Sequence, residues 1–182
     1  DLLKKDDINL NNLLSYDALI IGIRAFNINK SLPEIKPIIM EFMNEGGNVI
    51  VQYNTSRGID INNFAPYPFK LSRNRVSQEN SVVEILDNTH PALNFPNKIN
   101  LYDFDGWVQE RGLYFPNQWS EKYETIISSN DINEDSNHGG ILISKVGKGY
   151  FIYTSYSWFR QLPAGVGGAY KLFSNLISFG QK

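Results

Sequence analysis

Apolar residues along the chain fall into short runs cut by glycine, proline and asparagine, and the spacing inside each run predicts an alternation of strands and helices. "YDALIIGIR" (16–24) is a continuous apolar run with polar ends, the pattern of a strand covered on both faces. "LPEIKPIIMEFMNEGG" then places Ile35, Ile38, Ile39, Phe42 and Met43 at helical spacing and stops at Gly46 and Gly47. Pro33 suits a first turn, and Pro37 means that the helix starts late or kinks. "NVIVQYN" (48–54) predicts a second buried strand, completing a parallel β-α-β unit.

Residues 55–120 change character, being rich in Pro, Asn and aromatic side chains, with a short strand at "PFKLS" and a short helix near "SVVEIL". We read this as an elaboration within one domain. "YETIISS" (123–129), "GGILISKV" (139–146) and "GYFIYTSYSWF" (149–159) predict three further strands, the last two forming a hairpin across Gly147 to Gly149. "GAYKLFSNLISF" sets Tyr170, Phe173, Leu176, Ile177 and Phe179 near one helical face and closes the domain.

Composition narrows the chemistry. A chain of 182 residues with 42% hydrophobic and 13% aromatic content has the length and apolar content of one folded domain. Its net charge of −2 supplies no field for drawing in polyanions, so no nucleic-acid partner is expected, and no run is long enough to insert in a membrane. The opening "DLLKKDDINL" leads us to expect a piece of a longer protein. Without cysteine there is no thiolate nucleophile and no cysteine-ligated metal, and the two histidines, His90 and His138, lie in turn and loop sequences away from any nucleophile.

Ligands of open α/β sheets bind beyond the carboxyl ends of the parallel strands. The first strand delivers Arg24 and Asn27 there, the second Tyr53 and Asn54, and the last Trp158, Arg160 and Gln161. Arginine forks, amides and rings bind polar ligands well but contain no general base. Tyr53 sits at a strand-to-helix tip, where a phenol with a free pKa near ~10 needs a base or cation before it can attack anything.

The stretch "YDFDGWVQERGLYFPNQW" (102–119) offers Asp103, Asp105 and Glu110 among aromatic rings. As a calcium loop starting at Asp103 it fails at Trp107 and Val108, and no metal is expected. A sugar hydrolase using Asp103, Asp105 or Glu110 stays open as an alternative. An acid beside Arg111, with Arg160 elsewhere, instead favours ion pairing and a recognition loop containing Trp107, Glu110 and Arg111.

"YDALIIGIRAFN", "GGNVIVQYNTS", "APYPFKLSRNRVSQE", "HPALNFPNKINLYDFDGWVQERGLYF" and "WFRQLPAGVGGAYKLFSNLIS" resemble the C-terminal region of large bacterial PIG-L (LmbE-like) proteins, from Tyr16 to Ser178. In that family a zinc-dependent N-deacetylase domain precedes a region similar to class I glutamine amidotransferases and ThuA-like domains. The resemblance implies an α/β, flavodoxin-like three-layer sandwich over residues 1–182, with a mainly parallel sheet and an antiparallel hairpin near the C-terminus. The deacetylase's Pro-His-Pro-Asp-Asp type motif is absent, so its zinc is not carried over, and Tyr53 stands where an amidotransferase has its cysteine.

The expectation is therefore a non-catalytic accessory domain with no cofactor. It would bind a carbohydrate or other polar ligand through Arg24, Asn27, Tyr53, Asn54, Trp107, Glu110, Arg111, Trp158, Arg160 and Gln161, or pack on a parental deacetylase domain. A homodimer or oligomerisation module is the third reading. Related parents are often exported, which leaves a periplasmic location as an expectation.

Overall fold

Nearly continuous burial along the central strands Asn48–Gln52, Ile141–Val146 and Gly149–Thr154 sets the architecture. The structure, a computed structural model, describes residues 1–180. Its elements begin with α1 (Leu10–Leu13), β1 (Ala18–Ile21), α2 (Ala25–Ile28), α3 (Lys36–Glu45), β2 (Asn48–Gln52), β3 (Phe69–Leu71), β4 (Arg75–Val76) and β5 (Val82–Ile85). They continue with β6 (Gly112–Leu113), β7 (Pro116–Trp119), β8 (Glu124–Thr125), β9 (Ile127–Asn130), β10 (Ile141–Val146), β11 (Gly149–Thr154), α4 (Trp158–Gln161) and α5 (Gly167–Ser178).

A five-stranded mixed sheet runs in the order β1-β2-β11-β10-β8. β1, β2 and β11 are parallel, whereas β10 is antiparallel to both β11 and β8. Val49 and Val51 of β2, Phe151 and Tyr153 of β11 and Leu142 of β10 share a core with Ile39, Phe42 and Met43 of α3. Ile50, Ile152, Ile141 and Ile143, one residue out of phase, share a second core with Ala169, Leu172 and Leu176 of α5. A period of two in the strands and a period of 3.6 in the helices thus put a helix on each face.

The helix stop read at Gly46 is present: Gly46 has φ 118°, and its N–H and that of Gly47 donate to Met43 and Phe42. A 3-10 turn, Leu32–Ile35, precedes α3, so the helix starts late at Lys36 with Pro37 in its first turn. Gly147, at φ 58°, turns the β10–β11 hairpin.

Four expectations are corrected. β1 was read as covered on both faces, but it pairs only with β2 among the described residues, and Ile20 is 41% exposed. "SVVEIL" forms strand β5 rather than a helix, because Val82 and Val83 pair with β9, an interaction distant in sequence. "YETIISS" breaks at Ile126 into β8 and β9, which belong to different sheets. The run 149–159 leaves the sheet after Thr154, and Trp158 opens α4. Three small antiparallel pairs, β3–β7, β4–β6 and β5–β9, carry the insertion.

Buried phenols give the fold an alkaline limit. Burial raises the pKa of Tyr123 and Tyr153 well above 10, and pushes Tyr156 up to about 12. Their hydroxyls meet Tyr67 O at 2.8 Å, the Asn54 N–H at 2.9 Å and Ser129 Oγ at 3.2 Å. Folded-state values above the unfolded ones mean that this stabilisation is complete below about pH 10 and is lost as pH rises through the folded values. Absorbance titration is expected to show these tyrosines ionising only together with unfolding. Smooth ionisation of every tyrosine near pH 10 in the folded state would contradict this.

Candidate functional site

The loops after β1 and β2 are stitched into one platform by the amides that the sequence puts there. Arg24 N–H donates to Tyr53 O at 2.8 Å, and Phe26 N–H donates to Asn54 Oδ1 at 3.2 Å. Asn27 Oδ1 accepts from Thr55 N–H at 2.8 Å, while its Nδ2 donates to Thr55 O and Arg57 O at 3.1 and 3.4 Å. Asn27 and Asn54 therefore shape the backbone of the site, and their side chains are committed to it.

The segment around residues 108–111 docks against the end of β11. Gln161 Oε1 accepts from Val108 N–H at 2.9 Å, and Gln161 Nε2 donates to Val108 O at 2.8 Å. Ser157 Oγ–H donates to Glu110 O, and Ser157 N–H donates to Arg111 O at 2.7 Å. Glu110 and Arg160 form an ion pair at 2.8 Å, and Arg160 also bonds Gln109 Oε1. This pairing is the one the acid-among-arginines argument anticipates.

Tyr53 lies where the three strand ends meet, 7% exposed, with Tyr114 at 6.2 Å and Phe159 at 5.7 Å between ring centroids. Burial raises its pKa above 10; Arg24 and Arg160 pull it down, and Glu110 and Tyr114 push it up. Its hydroxyl has no hydrogen-bond partner among the described residues, so it stays a neutral phenol at neutral pH.

Beside it opens a cleft of about 640 Å³ lined by Arg24, Thr55, Ser56, Arg57, Arg73 and Tyr114. Arg24, Tyr114 and Gln109 account for three of the four non-glycine residues with positive φ among the described residues, at 54°, 55° and 54°. Such backbone costs of order 1–2 kcal/mol per residue and gathers where a ligand or a tight contact needs it.

The ten residues singled out from the sequence thus separate. Arg24, Tyr53, Glu110 and Arg160 come together at the strand ends, with Asn27 and Asn54 beneath them. Trp107 and Trp158 are each 1% exposed and pack edge to face at 5.6 Å, so their rings are closed to solvent and cannot stack on a ligand. Gln161 is fully buried in its bonds to Val108. Arg111, 4% exposed, donates to Phe104 O and Glu79 O at 3.0 and 2.8 Å, and burial lowers its pKa. Aromatic, amide and arginine residues look alike in sequence whether they face a ligand or a core, and burial decides between them.

Arg57, Arg73 and Tyr114 were not among those ten. Arg57 lies in the loop that follows the second strand, a signal present in the sequence. Arg73 and Tyr114 reach the cleft only through the β3–β7 and β4–β6 pairings. The carboxylates of the hydrolase reading do not converge as free groups: Asp103 accepts from Lys171 at 2.7 Å, and Glu110 is bound to Arg160. No group of three or more His, Cys, Asp or Glu side chains that could hold a metal ion occurs among the described residues. Nor is any helix among them long and apolar enough to cross a membrane.

No protein-family model and no curated protein matches the chain. Among solved structures it is similar to the Cytoplasmic Protein STM3548 from Salmonella typhimurium, at 14% identity and TM-score 0.60, over 94% of this chain and 74% of that one. Cytoplasmic Protein STM1381 from Salmonella typhimurium LT2 superposes with TM-score 0.62 at 13% identity, over 96% of this chain and 76% of its own. A beta-galactosidase from Bacillus circulans sp. alkalophilus gives TM-score 0.52 at 11% identity, over 90% of this chain but only 22% of the galactosidase. At such identities the likeness is one of fold.

Proposed function

We propose that the chain is a non-catalytic α/β binding module whose strand-end cleft takes a polar ligand, a carbohydrate first among them. In finer terms we place it as a flavodoxin-like, amidotransferase-like accessory unit of a PIG-L-type N-deacetylase. The observation that carries the reading is the cleft itself: arginine, hydroxyl and ring side chains converge at the carboxyl ends of β1 and β2 without a group able to move a proton. On this reading Tyr53 would stand in the amidotransferase nucleophile's place, and its pKa is shifted the wrong way for attack. The similarity to part of a beta-galactosidase agrees with an α/β unit serving inside a larger sugar-active protein, and packing on the deacetylase domain is the companion role.

Titration of the chain with an oligosaccharide panel, followed by amide shifts in NMR, is expected to move the signals of Thr55, Ser56, Arg57 and Tyr114. Tyr114→Ala is expected to weaken binding about tenfold, the loss of one good stacking contact of ~1.4 kcal/mol. A panel that leaves all four signals in place, together with failure to associate with a PIG-L-type deacetylase domain, rejects the module reading. Turnover of a sugar by the chain, abolished by Asp105→Asn, would favour the hydrolase instead.

A further inference from the structure

The charge of the cleft says more about its ligand. The chain has six arginines at a net charge of −2, and three of them, Arg24, Arg57 and Arg73, line this one cleft. No Asp or Glu lines it with them. None of the three guanidinium groups makes a hydrogen bond or ion pair with any described residue. Several cations elsewhere find partners: Arg160 meets Glu110, Arg111 donates to two carbonyls, and Lys5, Lys148 and Lys171 meet Glu34, Glu45 and Asp103. Acids are thus available on this surface, and the cleft holds none.

The arginine backbones, by contrast, are held. Arg24 is fixed through its N–H to Tyr53 O, and Arg57 through its carbonyl to Asn27 Nδ2. Arg73 stands in the β3–β4 turn, where Ser72 Oγ–H donates to Phe115 O at 2.6 Å and Asn74 N–H donates to Ser72 Oγ at 2.9 Å. Three anchored stems with free planar forks are prepared for oxyanions, each fork presenting paired N–H donors to a carboxylate, sulfate or phosphate. A neutral sugar would leave three like charges facing one another across the cleft, whereas an anionic one relieves that repulsion. Thr55 and Ser56 add hydroxyls that make no side-chain hydrogen bond within the described residues.

Resting on the binding-module reading, we infer that the ligand is an acidic saccharide bearing at least two oxyanion groups, gripped by Arg24, Arg57 and Arg73, with its ring seated by Tyr114. The side-chain heads are exposed, so their replacement leaves the fold intact, which an unchanged thermal midpoint checks.

Calorimetry with oligogalacturonate, a sulfated heparin-derived oligosaccharide, a sugar phosphate and a neutral galacto-oligosaccharide of matched length separates the sources of charge. At least one acidic saccharide is expected to bind ten times or more tighter than the neutral one, with affinity falling as salt rises. Arg24→Gln and Arg73→Gln are each expected to weaken the acidic ligand about tenfold and the neutral one at least threefold less than that. Equal binding of acidic and neutral saccharides overturns the inference while the module reading stands. Absence of binding by every saccharide overturns the inference, and together with failure to associate with a PIG-L-type deacetylase domain it overturns the module reading as well. A single-stranded oligonucleotide that competes as well as the best saccharide also overturns it, since the cleft would then be a non-specific polyanion surface.

Discussion

Trp107→Ala is expected to lower the unfolding free energy by about 3–5 kcal/mol, the cost of emptying a large aromatic site from a closed core. The ring is 1% exposed and lies 5.6 Å from Phe104, 5.7 Å from Tyr156 and 5.6 Å from Trp158. Its indole N–H donates to Asp103 O at 2.9 Å, and the Arg111 guanidinium sits 5.7 Å from its centroid. The loss therefore combines lost burial, lost edge-to-face contacts and a carbonyl left without its donor. Urea denaturation measures the stability; ligand titration of the variant below its unfolding midpoint distinguishes the two roles of this residue. If Trp107→Phe keeps most of the stability but loses saccharide affinity, the ring belongs to the ligand and the core assignment is wrong. If stability falls and affinity in the folded fraction holds, the ring is structural.

Trp107 also marks how far the sequence reaches. Elements whose signal is local are legible: α3 with its Gly46 stop, β2, the β10–β11 hairpin turned at Gly147, and α5 each follow from spacing within about fifteen residues. β5 is not, because its partner β9 lies more than forty residues away and only that pairing turns "SVVEIL" from helix to strand. β1 reads as doubly covered since an apolar run shows that both faces are apolar and not what packs on them, and Ile20 stays 41% exposed.

The same division runs through the site. Arg24, Tyr53 and Arg160 are legible because strand ends in a parallel sheet share an edge, and Glu110 because an acid near arginines finds one. Trp107, Trp158 and Gln161 have the composition of a recognition loop and the burial of a core, and only tertiary packing separates these. Arg73 and Tyr114 enter the cleft through two short antiparallel pairs that have no strong local pattern.

The β4 end of the β4–β6 pair is anchored by Asp131, whose replacement by alanine is expected to cost roughly 3–5 kcal/mol. Its carboxylate, at the end of β9 and 4% exposed, accepts from the Ser77 N–H and Gln78 N–H at 2.9 Å and from the Ser77 hydroxyl at 2.6 Å. Charge-assisted bonds of this kind are worth about 1.5–3 kcal/mol each, and truncation removes all of them at once, leaving the donors on the exposed residues Ser77 and Gln78 to water. Burial alone would raise the Asp131 pKa, but the Ser77 hydroxyl, the Gln78 and Ser77 amides and the charge of Arg111 outweigh it, and the net shift is below 3.8. A folded value under the unfolded one means that the stabilisation is complete above the unfolded value near 3.8. It is lost as pH falls through the folded value. Asp87, held down chiefly by its hydrogen bond from the Thr89 hydroxyl, adds to the same acid dependence from the surface. Urea midpoints measured from pH 6 to pH 2 are expected to fall steeply for the native chain and less steeply for Asp131→Asn, which keeps one acceptor and cannot titrate. Because Asp131 holds Ser77 directly after β4, and Arg73 sits in the turn before β4, loosening this anchor reaches the cleft. Asp131→Asn is therefore expected to weaken acidic-saccharide binding at pH 7 as well; an unchanged affinity beside an unchanged acid profile would mean that the β4 segment is held without it.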